Sequence, residues 1–166
     1  VWIYQADLLT SSIVNNNEIK ELTGNVIITN DNVTLNANRA MLYSINDRLE
    51  LFGDIIMIRN NDTLKCDSLY YFPTIKEYLI AIGDVKLSKE NLFINSDSLF
   101  YWPDSDSIHA VGNLFIDNGS STLKAESLNY WSSEGYNGYS FIATDDVIIN
   151  NRENTIYGDT VTYIDS

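Results

Sequence analysis

Two short words alternate along this chain, and their alternation constrains the fold more than any other feature. The first reads Leu79-Ile80-Ala81-Ile82-Gly83-Asp84-Val85-Lys86-Leu87, in which every second residue is apolar or glycine. That is the period of a β-strand with one buried face. It recurs as Leu22-Thr23-Gly24-Asn25-Val26-Ile27-Ile28, Leu51-Phe52-Gly53-Asp54-Ile55-Ile56-Met57 and Ala110-Val111-Gly112-Asn113-Leu114-Phe115-Ile116. A degraded fifth copy, Ala143-Thr144-Asp145-Asp146-Val147-Ile148-Ile149, has Asp145 in the glycine's place. The second word reads Leu64-Lys65-Cys66-Asp67-Ser68-Leu69-Tyr70-Tyr71, then Ile94 to Tyr101 and Leu123 to Tyr130, with looser copies at 4–11, 35–42 and 156–163.

The spacings say how the words are joined. The glycine positions 24, 53 and 83 and their successors 112 and 145 step by 29, 30, 29 and 33 residues. From each to the small residue of the next second word (Ala37, Cys66, Ser96, Ala125, Gly158) the step is always 13. The reverse step varies, as a surface turn tolerant of insertion does. The gaps are short and polar, among them Asn60-Asn61-Asp62, Pro73-Thr74-Ile75-Lys76, Pro103-Asp104-Ser105-Asp106 and the longer stretch 132–138. They read as hairpin turns. Eleven half-repeats predict an all-β fold of about eleven or more antiparallel strands, built from two-strand repeats of ~30 residues and filling 1–166 as one domain. The chain opens inside a repeat, at Ile3-Tyr4-Gln5, so it is expected to be a portion of a longer chain.

The second word contains a conflict of parity. Leu64 and Cys66 share one strand face, whereas Leu69 and Tyr71 share the other. A bulge or corner near Asp67-Ser68, and at the matching Asp97-Ser98 and Glu126-Ser127, would bring both pairs inward. The strands should therefore bend around a core, with the small residue where the bend is tight.

Ten side chains of the glycine words form the candidate inner face: Leu51, Ile55, Met57, Leu79, Val85, Leu87, Leu114, Ile116, Val147 and Ile149. By themselves they describe a closed core more readily than a groove for acyl chains. Gly24, Gly53, Gly83 and Gly112 read as structural, marking a bend or a close backbone approach. Strand parity puts Asp145 on the inward face, as a relaxed end position of the repeat. The recurring Asp67, Asp97, Glu126 and Asp159 read as corner residues bonding backbone donors. No pair of carboxylates stands in unlike environments, so acid–base catalysis has no candidate. His109 is the only histidine and falls on the outward face without a nearby cysteine, which argues against a triad or a zinc site. The Asp104-Ser105-Asp106-Ser107 stretch is a solvated turn rather than a calcium loop. Cys66 occupies a small packing position. The reading is therefore non-enzymatic, with neither cofactor nor metal.

With 10 Lys+Arg against 23 Asp+Glu the formal charge is −13, which argues against nucleic acid and against an anionic membrane surface.

The paired words, carried by Cys66-Asp67-Ser68-Leu69-Tyr70-Tyr71, Gly83-Asp84-Val85-Lys86-Leu87, Ser96-Asp97-Ser98-Leu99-Phe100-Tyr101 and Gly112-Asn113-Leu114-Phe115-Ile116, resemble the OstA-like (LptA-like) family. The resemblance covers essentially the whole chain. It implies a twisted, open β-jelly roll in the periplasm that shields lipopolysaccharide acyl chains on their way to the outer membrane. It makes the ten inner-face residues lipid-binding. Its implied partners are lipopolysaccharide or a similar lipid, other OstA-like domains met through edge strands, and further copies of the chain joined head to tail. The departures from the family pattern are the acidity, Asp145 and the long turn at 132–138. The acidity implies that any lipid contact is apolar, with sugars and phosphates left outside. The rival reading is a structural or adhesive β-repeat module with a closed core and no lipid ligand.

Overall fold

A computed structural model describes residues 1–74, 76–132 and 138–164. Twelve strands form one open antiparallel sheet among these residues. They are β1 (Ile3–Gln5), β2 (Leu8–Val14), β3 (Asn17–Thr29), β4 (Val33–Tyr43), β5 (Arg48–Arg59), β6 (Asp62–Phe72), β7 (Tyr78–Lys89), β8 (Leu92–Trp102), β9 (Ser107–Asp117), β10 (Ser121–Ser132), β11 (Tyr139–Asn151) and β12 (Thr155–Tyr163). A 3-10 turn, Pro103–Ser105, precedes β9. From β3 to β12 each strand pairs with its sequence neighbour, while β1 and β2 both pair with β3. The first half-repeat is thus one edge broken in two around Ala6-Asp7, which raises the expected eleven strands to twelve. The expected turn at 132–138 lies, over 133–137, outside the described residues, as does Ile75 of the turn at 73–76.

Every strand pair from β3 to β12 shifts register once, at one line across the sheet. Between β5 and β6, Phe52 pairs with Ser68 and Ile55 with Cys66, so Gly53-Asp54 stand opposite Asp67 alone. The extra residue belongs to the glycine word. Both members of each doublet have positive φ: Gly53 and Asp54 at 78° and 50°, Gly83 and Asp84 at 84° and 41°. An extra residue in one strand bends it and increases its twist. Leu64 and Cys66 before this line and Leu69 and Tyr71 after it are all buried, so the parity conflict is resolved by a corner.

The corner folds the sheet so that its two halves face one another. Met57, Leu64 and Leu87, which follow the corner in the glycine word or pair with residues that do, meet Leu79 and Tyr101 from the other half around one small void. The buried side chains of both halves form a single cluster running from Leu22 to Val147. Small residues oppose large ones beside the corner: Val26 pairs with Ala37, Ile55 with Cys66, Val85 with Ser96 and Leu114 with Ala125. Such alternation lets facing layers interdigitate at interior density. The fold has one corner, one interior and, opposite the corner, one mouth where the strand ends and turns of the two halves approach.

Candidate functional site

The ten inner-face residues do share one interior. Leu51, Ile55, Met57, Leu79, Val85, Leu87, Leu114 and Val147 are each no more than 3% exposed. Ile116 and Ile149 are only partly buried and pack against the edge of the same cluster. The void ringed by Met57, Arg59, Asp62, Leu64, Leu79, Leu87 and Tyr101 measures ≈ 10 Å³, room for about one water. In this state the central repeats are filled by the protein's own side chains.

Toward β12 the interior loosens. Tyr130, Phe141 and Val161 are half-buried, and Tyr139 and Tyr163 are exposed. The rings form a stacked group, with Tyr139 5.8 Å from Tyr130 and 6.4 Å from Phe141, and Phe141 5.7 Å from Tyr163. These aromatics lie in the second-word copies and in the segment before the degraded glycine word. Tyr130 faces inward with Leu128, as the parity of the second word requires, and the spacing of Tyr139 and Phe141 from Ala143 puts them on the same face.

The repeat glycines sit at the corner, and their setting explains the recurring acids. A Cβ on Gly24, Gly53, Gly83 or Gly112 would lie 2.4, 2.7, 2.3 or 2.4 Å from the side chain of Asp7, in the break between β1 and β2, or of Asn38, Asp67 or Asp97 on the neighbouring strand. That is far inside van der Waals contact, and positive φ disfavours a side chain in any case. Of the four acids expected to bond backbone donors, Asp97 instead accepts from a side-chain amide, as do Asp7 and Asp54 at other corners. Asn25 Nδ2 donates to Asp7 Oδ2 (2.9 Å), Asn38 Nδ2 to Asp54 Oδ2 (3.0 Å) and Asn113 Nδ2 to Asp97 Oδ2 (2.9 Å). At the central corner, where Asp67 and Asp84 are both acids, Lys86 Nζ donates to Asp84 Oδ2 at 2.6 Å.

Asp145 is exposed rather than inward. The corner's extra residue turns both members of the doublet to the convex side, so a count of two along the strand fails there. Asp145 and Asp146 hold φ of 67° and 53° without a glycine. Cys66 lies buried opposite Ile55, and burial, outweighing its backbone hydrogen bonds, pushes the thiol up to about 12. His109 stands outward, its ring 5.8 Å from Phe100. No group of three or more potential metal ligands occurs among the described residues.

The mouth carries charges that sequence reasoning missed. Arg59 Nη1 lies against Glu77 Oε1 as an ion contact without hydrogen-bond alignment. Tyr71 donates its hydroxyl to the same Glu77 oxygen at 2.5 Å. Lys89 Nζ donates to Asp106 Oδ1 at 2.6 Å, has Asp62 at 3.9 Å, and stands 5.9 Å from the Tyr101 ring. Burial alone would lower the Lys89 ammonium. The Asp106 bond and the neighbouring Tyr101, Asp106 and Asp62 outweigh it and hold the group above its usual range. For the Asp62 carboxyl, burial wins over the attraction of Lys89, and it titrates above the usual range.

Both edges of the sheet are free among the described residues. Ile3, Leu8, Leu9, Ile13 and Val14 are exposed on β1 and β2, and Ile156, Tyr157 and Tyr163 on β12.

A glycine-cornered, repeat-built sheet with an apolar interior and two open edges defines a β-scaffold of the jelly-roll kind. Within that class, residues 1–81 are similar to OstA-like proteins: the model of the OstA-like protein family matches that stretch. The same corner and register continue through β12. No curated protein matches the chain. The family is one of transport and binding. No helix among the described residues is long and apolar enough to cross a membrane, which says nothing of crossing by strands.

Proposed function

We propose that this chain is a periplasmic carrier or bridge domain that shields the acyl chains of lipopolysaccharide during transport to the outer membrane. The observation that carries this reading is the apolar inner face. It is continuous from Leu22 to Val147 and becomes only partly buried at Ile116 on β9 and at Ile149, Phe141 and Val161 on β11 and β12. An acyl chain laid along such a face gains roughly 0.8 kcal/mol for each buried CH₂. It meets no charge on the residues that face inward near the corner. The net charge of −13 disfavours capture through lipid phosphates, so the tails rather than the head group are the recognised part. Open edges at β1/β2 and β12 supply unpaired backbone groups for strand addition by neighbouring OstA-like domains or by further copies of the chain.

A second reading is supported by the ≈ 10 Å³ void: a β-repeat module whose core is permanently closed. Photocrosslinking separates the two. A crosslinking amino acid replaces Val85, Leu114 or Ile149 in cells, with outward Lys86 as the control. Lipopolysaccharide adducts at the inward sites and none at Lys86 are expected. Folded inward variants that yield no adduct would establish the closed-core reading.

A further inference from the structure

The corner makes a simple geometrical statement about the mouth. Residues six before and six after a corner glycine lie at the ends of the two folded halves. Arg59 and Lys89 stand six after Gly53 and Gly83, and Glu77 and Asp106 stand six before Gly83 and Gly112. Each ion pair therefore joins one corner's far end to the next corner's near end, from lip to lip across the mouth. The equivalent positions after the other corners are Asn30, Asn118 and Asn151. Those asparagines turn back on their own hairpins. Asn30 Oδ1 accepts from the Val33 amide at 2.8 Å, Asn118 Oδ1 from Ser121 at 2.8 Å and Asn151 Oδ1 from Asn154 at 2.8 Å. Only the two central repeats replace that local bond with a cation reaching across. Directly beneath it lies the small apolar void bounded by Met57, Leu64, Leu79 and Leu87.

We infer that Arg59–Glu77 and Lys89–Asp106 are clasps that hold the mouth shut, and that the mouth of the two central repeats is the side portal by which an acyl chain reaches the interior. This rests on the lipid-shielding reading above. The clasps are built to be reversible. Their side chains keep 15–25% of their exposure, so water can solvate each partner as the pair separates. Parting the lips uncovers Met57, Leu64, Leu79 and Leu87 without breaking the corner, which holds its register by backbone pairing. A filled interior in the absence of ligand and an apolar path when ligand is present are then two states of one hinge-backed fold.

The test replaces each clasp cation with the residue the chain itself uses at that position: Arg59→Asn with Lys89→Asn. Backbone hydrogen exchange reads the opening, and Nile red, a neutral apolar dye, reads entry without responding to the lost charge. Exchange in 57–64 and 87–92 is expected to rise, up to about fivefold per clasp for pairs of this exposure, with the corner segments unchanged. Nile red entry should accelerate in step. In a second variant, Arg59→Cys with Glu77→Cys on Cys66→Ser, a short bismaleimide bridging the lips should slow entry below wild type. Unchanged exchange at the lips, with Nile red still entering, would overturn the clasps and leave the lipid reading intact. Entry as fast in the bridged protein as in the unbridged one would overturn the portal. Failure of every form, wild type included, to take up Nile red would sink the lipid-shielding reading and the portal with it.

Discussion

Gly83→Ala tests whether the corner is as tightly closed as the structure has it. The new methyl group would lie 2.3 Å from Asp67 Oδ2 and 2.8 Å from its Cβ and Cγ. The residue would also have to hold φ at 84°. The left-handed backbone costs an alanine about 1–2 kcal/mol. Displacing Asp67 against its neighbours costs a further 1–3 kcal/mol or so, the range for overpacking. Together the loss is about 2–5 kcal/mol, a large part of the stability of a domain this size. Gly119→Ala separates the two parts, because Gly119 has φ of 81° and nothing within 4 Å of an added Cβ. It should lose only the backbone cost. Urea unfolding gives both values at constant slope. Gly83→Ala combined with Asp67→Gly, which removes the Cβ at 2.8 Å along with the carboxylate, should recover most of the steric part, a coupling of about 1–3 kcal/mol. Equal losses in Gly83→Ala and Gly119→Ala, with no recovery in the double variant, would refute the close approach of the two strands.

Two further outcomes follow from the same geometry. The Cys66 thiol is raised from 9.0 to about 12, so its contribution to stability is fully present below pH 9.0 and is lost as pH rises toward 12. Relative to Cys66→Ala, which copies Ala37 and Ala125, wild type should lose about 4 kcal/mol across that window, from three units at 1.36 kcal/mol each. Parallel pH profiles of the two proteins would show that the thiol is not buried. Asp145 holds φ of 67° where four other copies have glycine, so Asp145→Gly should stabilise the chain by at most about 1 kcal/mol, read by urea unfolding. A loss would mean that the Thr144 hydroxyl bond to Asp145, at 3.0 Å, matters more than the backbone.

Much of the architecture was determined by the sequence alone, because it is local. Alternation at every second residue specifies a strand with one buried face, and the constant step of 13 from each glycine position specifies one fixed hairpin geometry. The opposite parities of Leu64 and Cys66 and of Leu69 and Tyr71 require a corner between them. The glycine words likewise named the interior residues, since eight of the ten are buried as their parity requires. Tertiary structure decided what depends on pairing. The extra corner residue could be assigned only by which strand skips register, and it lies in Gly53-Asp54 rather than at Asp67-Ser68. That assignment turned Asp145 outward and split the first strand's pairing at Asp7, whose amide bonds the Gly24 carbonyl at 2.9 Å. The clasps were equally hidden. Arg59 and Glu77 are separated by a whole strand and a turn, and nothing in either residue's neighbourhood hints at the other. They meet because a sheet folded at its glycines brings strand ends together, and that is a property of the closed fold rather than of any segment of the chain.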